Sequence, residues 1–170
     1  MELREDDLLL RPATIEDLPA IVAACQDPEL SRFIPGFPSP YTEANARTWL
    51  DARPGPDKAR TFLIVDGSSG DLYGAIEVRL GGTGSIGYWI AAEARGKGIA
   101  TRATRLLSSW ALKLGGVERL ELTTDPANTA SQRVAEKAGF TREGILRAHT
   151  KFPDGRRDSV MFSLLPADVA

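Results

Sequence analysis

The stretch Arg95-Gly96-Lys97-Gly98-Ile99-Ala100 constrains this chain most, because one periodicity gives way to another across it. Before it, Ser85–Ile90 reads as a strand. After it, Ala103, Leu107, Trp110, Ala111 and Leu114 share one side of a helix over roughly Gly98–Leu114, stopped by Gly115-Gly116. Small residues at such a junction let a ligand approach the backbone, and the first amides of the helix lack internal acceptors. Those amides and the helix dipole make an anion site. Arg95, Lys97, Arg102 and Arg105 add four positive charges around it. The pattern suits a pyrophosphate, and taken alone it equally suits a glycine-rich turn beside a solvated basic face. It lacks the Gly-Lys-Ser/Thr ending of a nucleotide P-loop and the three glycines of a dinucleotide fingerprint.

The rest of the chain supplies a mixed α/β frame. Leu8–Arg11 reads as a first strand. Thr14, with Asp17 three residues on, opens a helix whose apolar face is Ile15, Leu18, Ile21, Val22 and Cys25, ending near Asp27-Pro28. Thr42 starts a second helix with Ala46, Trp49 and Leu50 inward. Thr61–Val65, Leu72–Leu80 and Ser85–Ile90 form an antiparallel meander joined by glycine-rich turns. Arg119–Thr124 is a strand, Asn128–Ala138 a short helix closed by Gly139, and Thr141–Thr150 and Asp158–Leu165 the last two strands. The order is β-α-α-β-β-β-α-β-α-β-β. The strand–helix–strand crossover in its middle implies one parallel pair in a mainly antiparallel sheet. We expect a single domain over residues 1–170, with its core at about 8–165.

Composition removes several function classes. Among 170 residues the net charge is −2, which gives no global field for nucleic acid. One cysteine and one histidine, Cys25 and His149, leave no internal disulfide and little for a metal site, so no metal is expected. The charged N-terminus, followed by only Leu8-Leu9-Leu10, reads as neither signal peptide nor membrane span. A cytoplasmic protein, monomeric or homodimeric, is the expectation.

A second element decides between the readings of the glycine loop. After Leu120–Thr124 comes Asp125-Pro126-Ala127-Asn128, then a short helix ending Glu136-Lys137-Ala138-Gly139-Phe140. Together these resemble the GNAT superfamily of N-acetyltransferases. Its acetyl-CoA signature, Arg/Gln-x-x-Gly-x-Gly/Ala, falls on Arg95, Gly98 and Ala100. Ile86-Gly87-Tyr88-Trp89-Ile90, Asn128-x-x-Ser131 and Asp154-Gly155-Arg156-Arg157-Asp158 look most like the Rim-type branch, which acetylates the N-termini of ribosomal proteins. The likeness runs from about residue 8 to 165.

The resemblance implies a fold in which the strand before the loop and the strand after the helix splay apart at a bulge, with pantetheine between them. It implies that the backbone of Trp89 and Ile90 binds pantetheine, that the amides of Gly96, Lys97, Gly98, Ile99, Ala100 and Thr101 bind the pyrophosphate, and that Asn128 sits across the cleft. The implied reaction is direct attack of a primary amine on acetyl-CoA in a ternary complex. The acceptor is a protein N-terminal amine or, alternatively, a small amine such as a polyamine, amino acid or antibiotic; a non-catalytic acyl-CoA-binding module is a second alternative. A small cationic acceptor would need carboxylates such as Glu43, Asp51 and Glu77 to converge.

For catalysis, the family's thiolate-protonating tyrosine would fall on Ala135. Ser131, one turn earlier and expected on the same helical face, is the substitute that the branch suggests; otherwise it is a helix-start residue bonding its own backbone. Glu77 alternates with Ile76 and Val78, so it reads as a general base facing the cleft or as an ordinary strand carboxylate. Asp125 and His149 are further candidates. Cys25 reads as core. The segment from Phe33 to Tyr41, with three prolines and three aromatics, reads either as an acceptor wall that includes Phe33, Phe37 and Tyr41 or as a satellite hydrophobic cluster.

Overall fold

Alternating apolar runs, broken by short polar turns, fold this chain around one sheet. The computed structural model describes residues 1–169. Its strands are β1 (Leu3–Glu5), β2 (Leu8–Arg11), β3 (Ala59–Asp66), β4 (Leu72–Arg79), β5 (Thr83–Ile90), β6 (Arg119–Thr124), β7 (Thr141–Phe152) and β8 (Gly155–Leu164). They lie in the order β1-β2-β3-β4-β5-β6-β8-β7. Only β5 and β6 run parallel, joined through α4 (Ile99–Lys113). The mixed α/β sheet expected from the sequence is therefore present.

Helices cover both faces. On one face lie α1 (Leu18–Ala24), α2 (Pro28–Phe33) and α3 (Glu43–Asp51), whose Leu18, Ile21, Leu30 and Ala46 pack on Leu63, Val65 and Ala75. On the other, α4 and α5 (Thr129–Lys137) set Ala103, Leu107, Ala111 and Ala135 against Phe62, Ile64, Ile76, Val78, Leu120 and Phe162. Leu107 is fully buried, a contribution of about 1.5–3 kcal/mol. Cys25 is buried in the first cluster, and desolvation pushes its thiol up to about 12, which suits a core residue.

Four local expectations change. The charged N-terminus forms β1, because Asp6 takes a positive φ of 53° and turns the chain into a hairpin with β2. Pro28 does not mark an end; it opens α2 at the first helical position, with Asp27 accepting from the Glu29 N–H. Ile15 lies in a 3₁₀ turn ahead of α1 and is 52% exposed, so the apolar face begins at Leu18. Leu114 leaves its helix face at the carboxyl end and is 53% exposed.

The feature that positions the site is incomplete pairing. Along β4, β5 stays in register from Arg79↔Ser85 to Gly74↔Ile90, with no bulge. Against β6 it pairs only over Thr83–Ser85. Beyond that point, Leu122–Thr124 of β6 pair with β8 alone, and β5 and β6 part. The expected splay is there, but it arises from β6 following β8 rather than from a bulge in β5.

Gly74 lets β5 stay close on its other side. A Cβ at 74 would overlap the Trp89 carbonyl oxygen, a backbone atom that cannot swing away. We expect Gly74→Ala to destabilise by about 1–3 kcal/mol, as overpacking does. Gly55→Ala, where a Cβ meets nothing within 4 Å, should be near neutral. Urea unfolding of both variants checks the contrast.

Candidate active site

Two cavities, each of about 380 Å³, adjoin at the split. They share Phe33, Ile34, Tyr88, Trp89, Asn128 and Ser131. Each is built differently.

The first rests on the loop into α4. Gly96 and Gly98 hold φ of 74° and 76°, the left-handed region that side chains disfavour, and Gly98 caps α4. A Cβ at either would meet nothing within 4 Å, so space lies open in front of the backbone. The helix ladder begins with Arg102 N–H donating to Gly98 O, which leaves the amides of Ile99, Ala100 and Thr101 without helical acceptors. Ile90, Arg95, Gly96, Gly98, Ile99, Ala100 and Thr101 line this cavity, facing Asn128, Arg133 and Lys137. Lys97 is exposed beside it, with no ion pair among the described residues.

Three of the four cations expected around an anion are engaged elsewhere. Arg95 donates from Nε and Nη2 to Ile90 O at 3.1 and 2.9 Å and forms an ion pair with Asp27. It therefore braces the loop against β5 and α2. Arg102 donates to Glu5 O and Asp7 Oδ1, tying α4 to the β1–β2 turn and holding the Asp7 carboxyl below its usual range. Arg105 donates to Lys137 O. Arg133 and Lys137 on α5 replace them at the cavity. The sequence signal for these two was their place beside Ala130 and Val134 on one face of α5.

The backbone of β5 also departs from expectation in detail. Ala91 N–H donates to Tyr73 O at 2.8 Å. Antiparallel pairs alternate, so Trp89 turns its backbone groups toward β4, and those of Tyr88 and Ile90 face the gap. Ile90 O is already taken by Arg95. The free groups are the Tyr88 N–H and C=O and the Ile90 N–H. Trp89 reaches the cavities by its side chain.

The second cavity opens on the α1–α3 face. Phe33, Trp49, Trp89 and Phe152 line it with Thr61, Thr150 and Ser159, and three carboxylates point to it: Glu77, Asp125 and Asp158. No lysine or arginine is among its lining residues. Glu77 is placed as expected on this side, but both its oxygens are engaged, by Thr61 Oγ1 at 2.9 Å and Arg79 Nε at 3.1 Å. Glu43 pairs with Arg47 on the exposed side of α3, and neither it nor Asp51 lines the cavity. His149 is exposed on β7, with Nδ1 3.1 Å from Ser159 Oγ, and does not line it either.

Of the acceptor-wall residues, only Phe33 reaches the site. Phe37 and Tyr41 stack at 5.1 Å and pack into the cluster beneath α1 and α3. Tyr41 is 6% exposed, and burial pushes its hydroxyl up to about 12. The proline-rich connection folds these rings inward, and α2 presents Phe33 instead.

At the junction of the cavities, Asn128 caps α5 by accepting the Ser131 N–H at 3.1 Å. That frees the Ser131 hydroxyl from any capping duty, and its Oγ lies 3.0 Å from the Tyr88 hydroxyl. Burial pushes the Tyr88 hydroxyl up to about 12. Ala135 does not share the Ser131 environment: it is fully buried in the core and lines neither cavity. The Tyr88 side chain was missed in the sequence. Its signal was a tyrosine alternating with Ile86 and Ile90, since a phenol on a core-facing position needs a partner.

Comparisons with known proteins bear on the family and the fold. Residues 7–141 match the family described as the acetyltransferase (GNAT) domain. Over 86 residues the chain is 38% identical to YjcK of Bacillus subtilis (strain 168), a stretch of 51% of this chain and 48% of that protein, so the match spans about half of that relative. The acetyltransferase (GNAT family) from Bacillus anthracis superposes with a TM-score of 0.87 at 25% identity, covering 98% of this chain and 99% of that one. The ribosomal L7/L12 α-N-protein acetyltransferase RimL, solved with coenzyme A, does so with a TM-score of 0.86 at 18% identity over 100% of each chain, a likeness of fold. With the family match covering most of its length, this chain belongs to the GNAT acetyltransferases.

Proposed function

We propose that the protein transfers the acetyl group of acetyl-CoA to a primary α-amine, brought in through the adjoining cavity. The observation that carries this reading is the division of the two cavities at the β5–β6 split. One offers helix-start amides and the cations Arg133 and Lys137, the chemistry that holds a pyrophosphate. The other offers carboxylates and aromatic rings without a cation, the chemistry that attracts an ammonium group. Pantetheine amides would pair with the unpaired N–H and C=O of Tyr88. The Ile90 N–H is then a donor for the thioester oxygen as its charge grows.

The acceptor nitrogen attacks the carbonyl carbon, the C–S bond breaks with its electron pair on sulfur, and the amine loses one proton to water. No covalent enzyme intermediate is needed. An α-amine fits this reading better than a lysine, because an amine of pKa near 8 needs little help to reach its neutral form, whereas one near 10.4 needs more. RimL, which shares the fold, is described as acting on a protein α-amine. A small amine is the second reading, favoured by the three carboxylates of the acceptor cavity. Thiol release from acetyl-CoA with N-terminal peptides and with polyamines, side by side, tests the choice. The peptides should give the higher kcat/KM, and a preference for polyamines would overturn the first reading.

The CoA side yields a paired prediction. Gly98→Val forces a β-branched residue into a φ of 76° and should abolish CoA binding by calorimetry while the far-UV circular dichroism stays native. Unchanged affinity would overturn the placement of the pyrophosphate. Lys97→Ala should weaken CoA binding roughly fivefold, the worth of a charge pair of about 1 kcal/mol in water, and flatten its salt dependence.

The acceptor side yields another. Trp49 lines only the acceptor cavity, so Trp49→Ala should raise KM for the amine by roughly tenfold, about 1.4 kcal/mol, and leave KM for acetyl-CoA unchanged. Phe33→Ala, at the junction, should raise both. Phe37→Ala should alter neither and lower the melting temperature. Steady-state kinetics with each substrate varied in turn separates the three outcomes.

A further inference from the structure

We infer that Tyr88 is a positioning residue for departure of the CoA thiolate: it donates to Ser131 Oγ and thereby leaves the serine proton free to point at the sulfur. The inference rests on the acetyl-transfer reading of the split and deepens it at one atom. The Tyr88 hydroxyl and the Ser131 hydroxyl, 3.0 Å apart, are each other's only side-chain partners among the described residues. The Ser131 N–H is already satisfied by Asn128. The pair joins β5 to α5, across the opening between β5 and β6, where both cavities meet.

Two hydroxyls in one hydrogen bond hold two protons, and only one of them lies between the oxygens. The phenol is the stronger acid and hence the better donor, and the aliphatic oxygen is the better acceptor. Burial pushes the Tyr88 hydroxyl up to about 12, so it keeps its proton and stays a donor across the working pH range. The remaining proton belongs to Ser131 and has no acceptor among the described residues. Ser131 lines both cavities, so that proton faces the space in which pantetheine from one side and the amine from the other must meet. A hydroxyl that accepts a hydrogen bond is also a stronger donor through its own proton. Sulfur leaves with the C–S electron pair, the serine hydrogen bond stabilises that charge, and the thiolate, of pKa near 8.5, takes a proton from water afterwards. Tyr88 itself neither gains nor loses a proton.

A structural bond and a positioning bond differ in how they respond to the leaving group. Acetyl-CoA and its selenium analogue, in which selenium replaces the thioester sulfur, have the same shape, but the selenol is the stronger acid and needs less help to depart. Single-turnover acetylation of one peptide amine would be measured for the wild type, Tyr88→Phe, Ser131→Ala and the double variant with both donors. With acetyl-CoA we expect Tyr88→Phe to be roughly 3–30-fold slower and Ser131→Ala roughly 10–100-fold slower, within or below ordinary acid–base effects. The double variant should be no slower than Ser131→Ala. With the selenium donor both single defects should shrink to less than about threefold. A Tyr88→Phe defect equal for the two donors, additivity in the double variant, wild-type rates, or a Tyr88→Phe protein that fails to fold would each overturn the inference. A Ser131→Ala defect that ignores the leaving group would overturn it from the serine side. A wild-type protein that acetylates no amine overturns the acetyl-transfer reading first, and the inference falls with it.

Discussion

Three residues of parallel pairing, Thr83–Ser85 against Arg119–Glu121, govern the geometry of both cavities. Above that short seam the sheet becomes two half-sheets. One half holds β5 to β4 through six register pairs, with Gly74 admitting the Trp89 carbonyl. The other is locked together by Arg119 on β6, which reaches both oxygens of Glu143 on β7 at 2.7 Å while β8 runs between them. The salt bridge holds the Glu143 carboxyl at about 2, well below its usual range. Neither half can close the gap without giving up its own pairing. The exposed backbone edge would cost about 1–3 kcal/mol for each group left unsatisfied in a dry site, so an amide-bearing ligand arm fits the need that the fold creates.

Charge near the split is spent in two distinct ways. Arg95, Arg102 and Arg105 all donate to backbone carbonyls, of Ile90, Glu5 and Lys137, and so fasten the start of α4 to β5, β1 and α5. A guanidinium with a fixed fork suits that bracing task, and the loop keeps its left-handed glycines in place because its flanks are tied. The cations left for a ligand, Lys97, Arg133 and Lys137, are exposed. On the proposed reading, exposed charges of this kind would steer more than anchor, with the backbone amides as the close contact to a phosphate.

The sequence made one half of the site legible and hid the other. The loop from Arg95 to Ala100 could be read because its function is a backbone conformation, and only glycine meets φ near 75° at positions 96 and 98 without strain. The order of elements along the chain and the crossover followed from alternation and turn residues for the same local reason. The acceptor cavity draws Phe33 from α2, Trp49 from α3, Glu77 from β4 and Phe152 and Asp158 from the β7–β8 hairpin, and no local rule announces that convergence. Phe37 and Tyr41 had the composition of a ligand wall and took the place of a core cluster, since the sequence shows apolar rings but not the direction in which an irregular segment turns them. Helical spacing similarly paired Ser131 with Ala135. Four residues advance a helix by slightly more than one turn, and at the rim of a packed helix that offset separates a cleft position from a fully buried one. β1 gave no sequence signal because it is three residues long and two of them, Arg4 and Glu5, are charged, leaving Leu3 alone to pack on the core.

Arg157 shows how the acceptor side can be held together by a cation and still present none. Its guanidinium lies 3.8 Å over the Phe152 ring, donates to Arg32 O at the end of α2, and stands 3.5 Å from Asp125. One side chain thus gathers the hairpin, the segment carrying Phe33 and the turn before α5, three of the pieces that wall the cavity. Yet Arg157 is not among the residues that line it. Its guanidinium pairs with Asp125 and Asp154, and the cavity wall itself presents rings and carboxylates. An ammonium is drawn in by that surface but cannot attack until it sheds a proton. On the proposed acetyl-transfer reading, such a site would work best on amines that are already partly neutral in water, as α-amines are and lysine side chains are not.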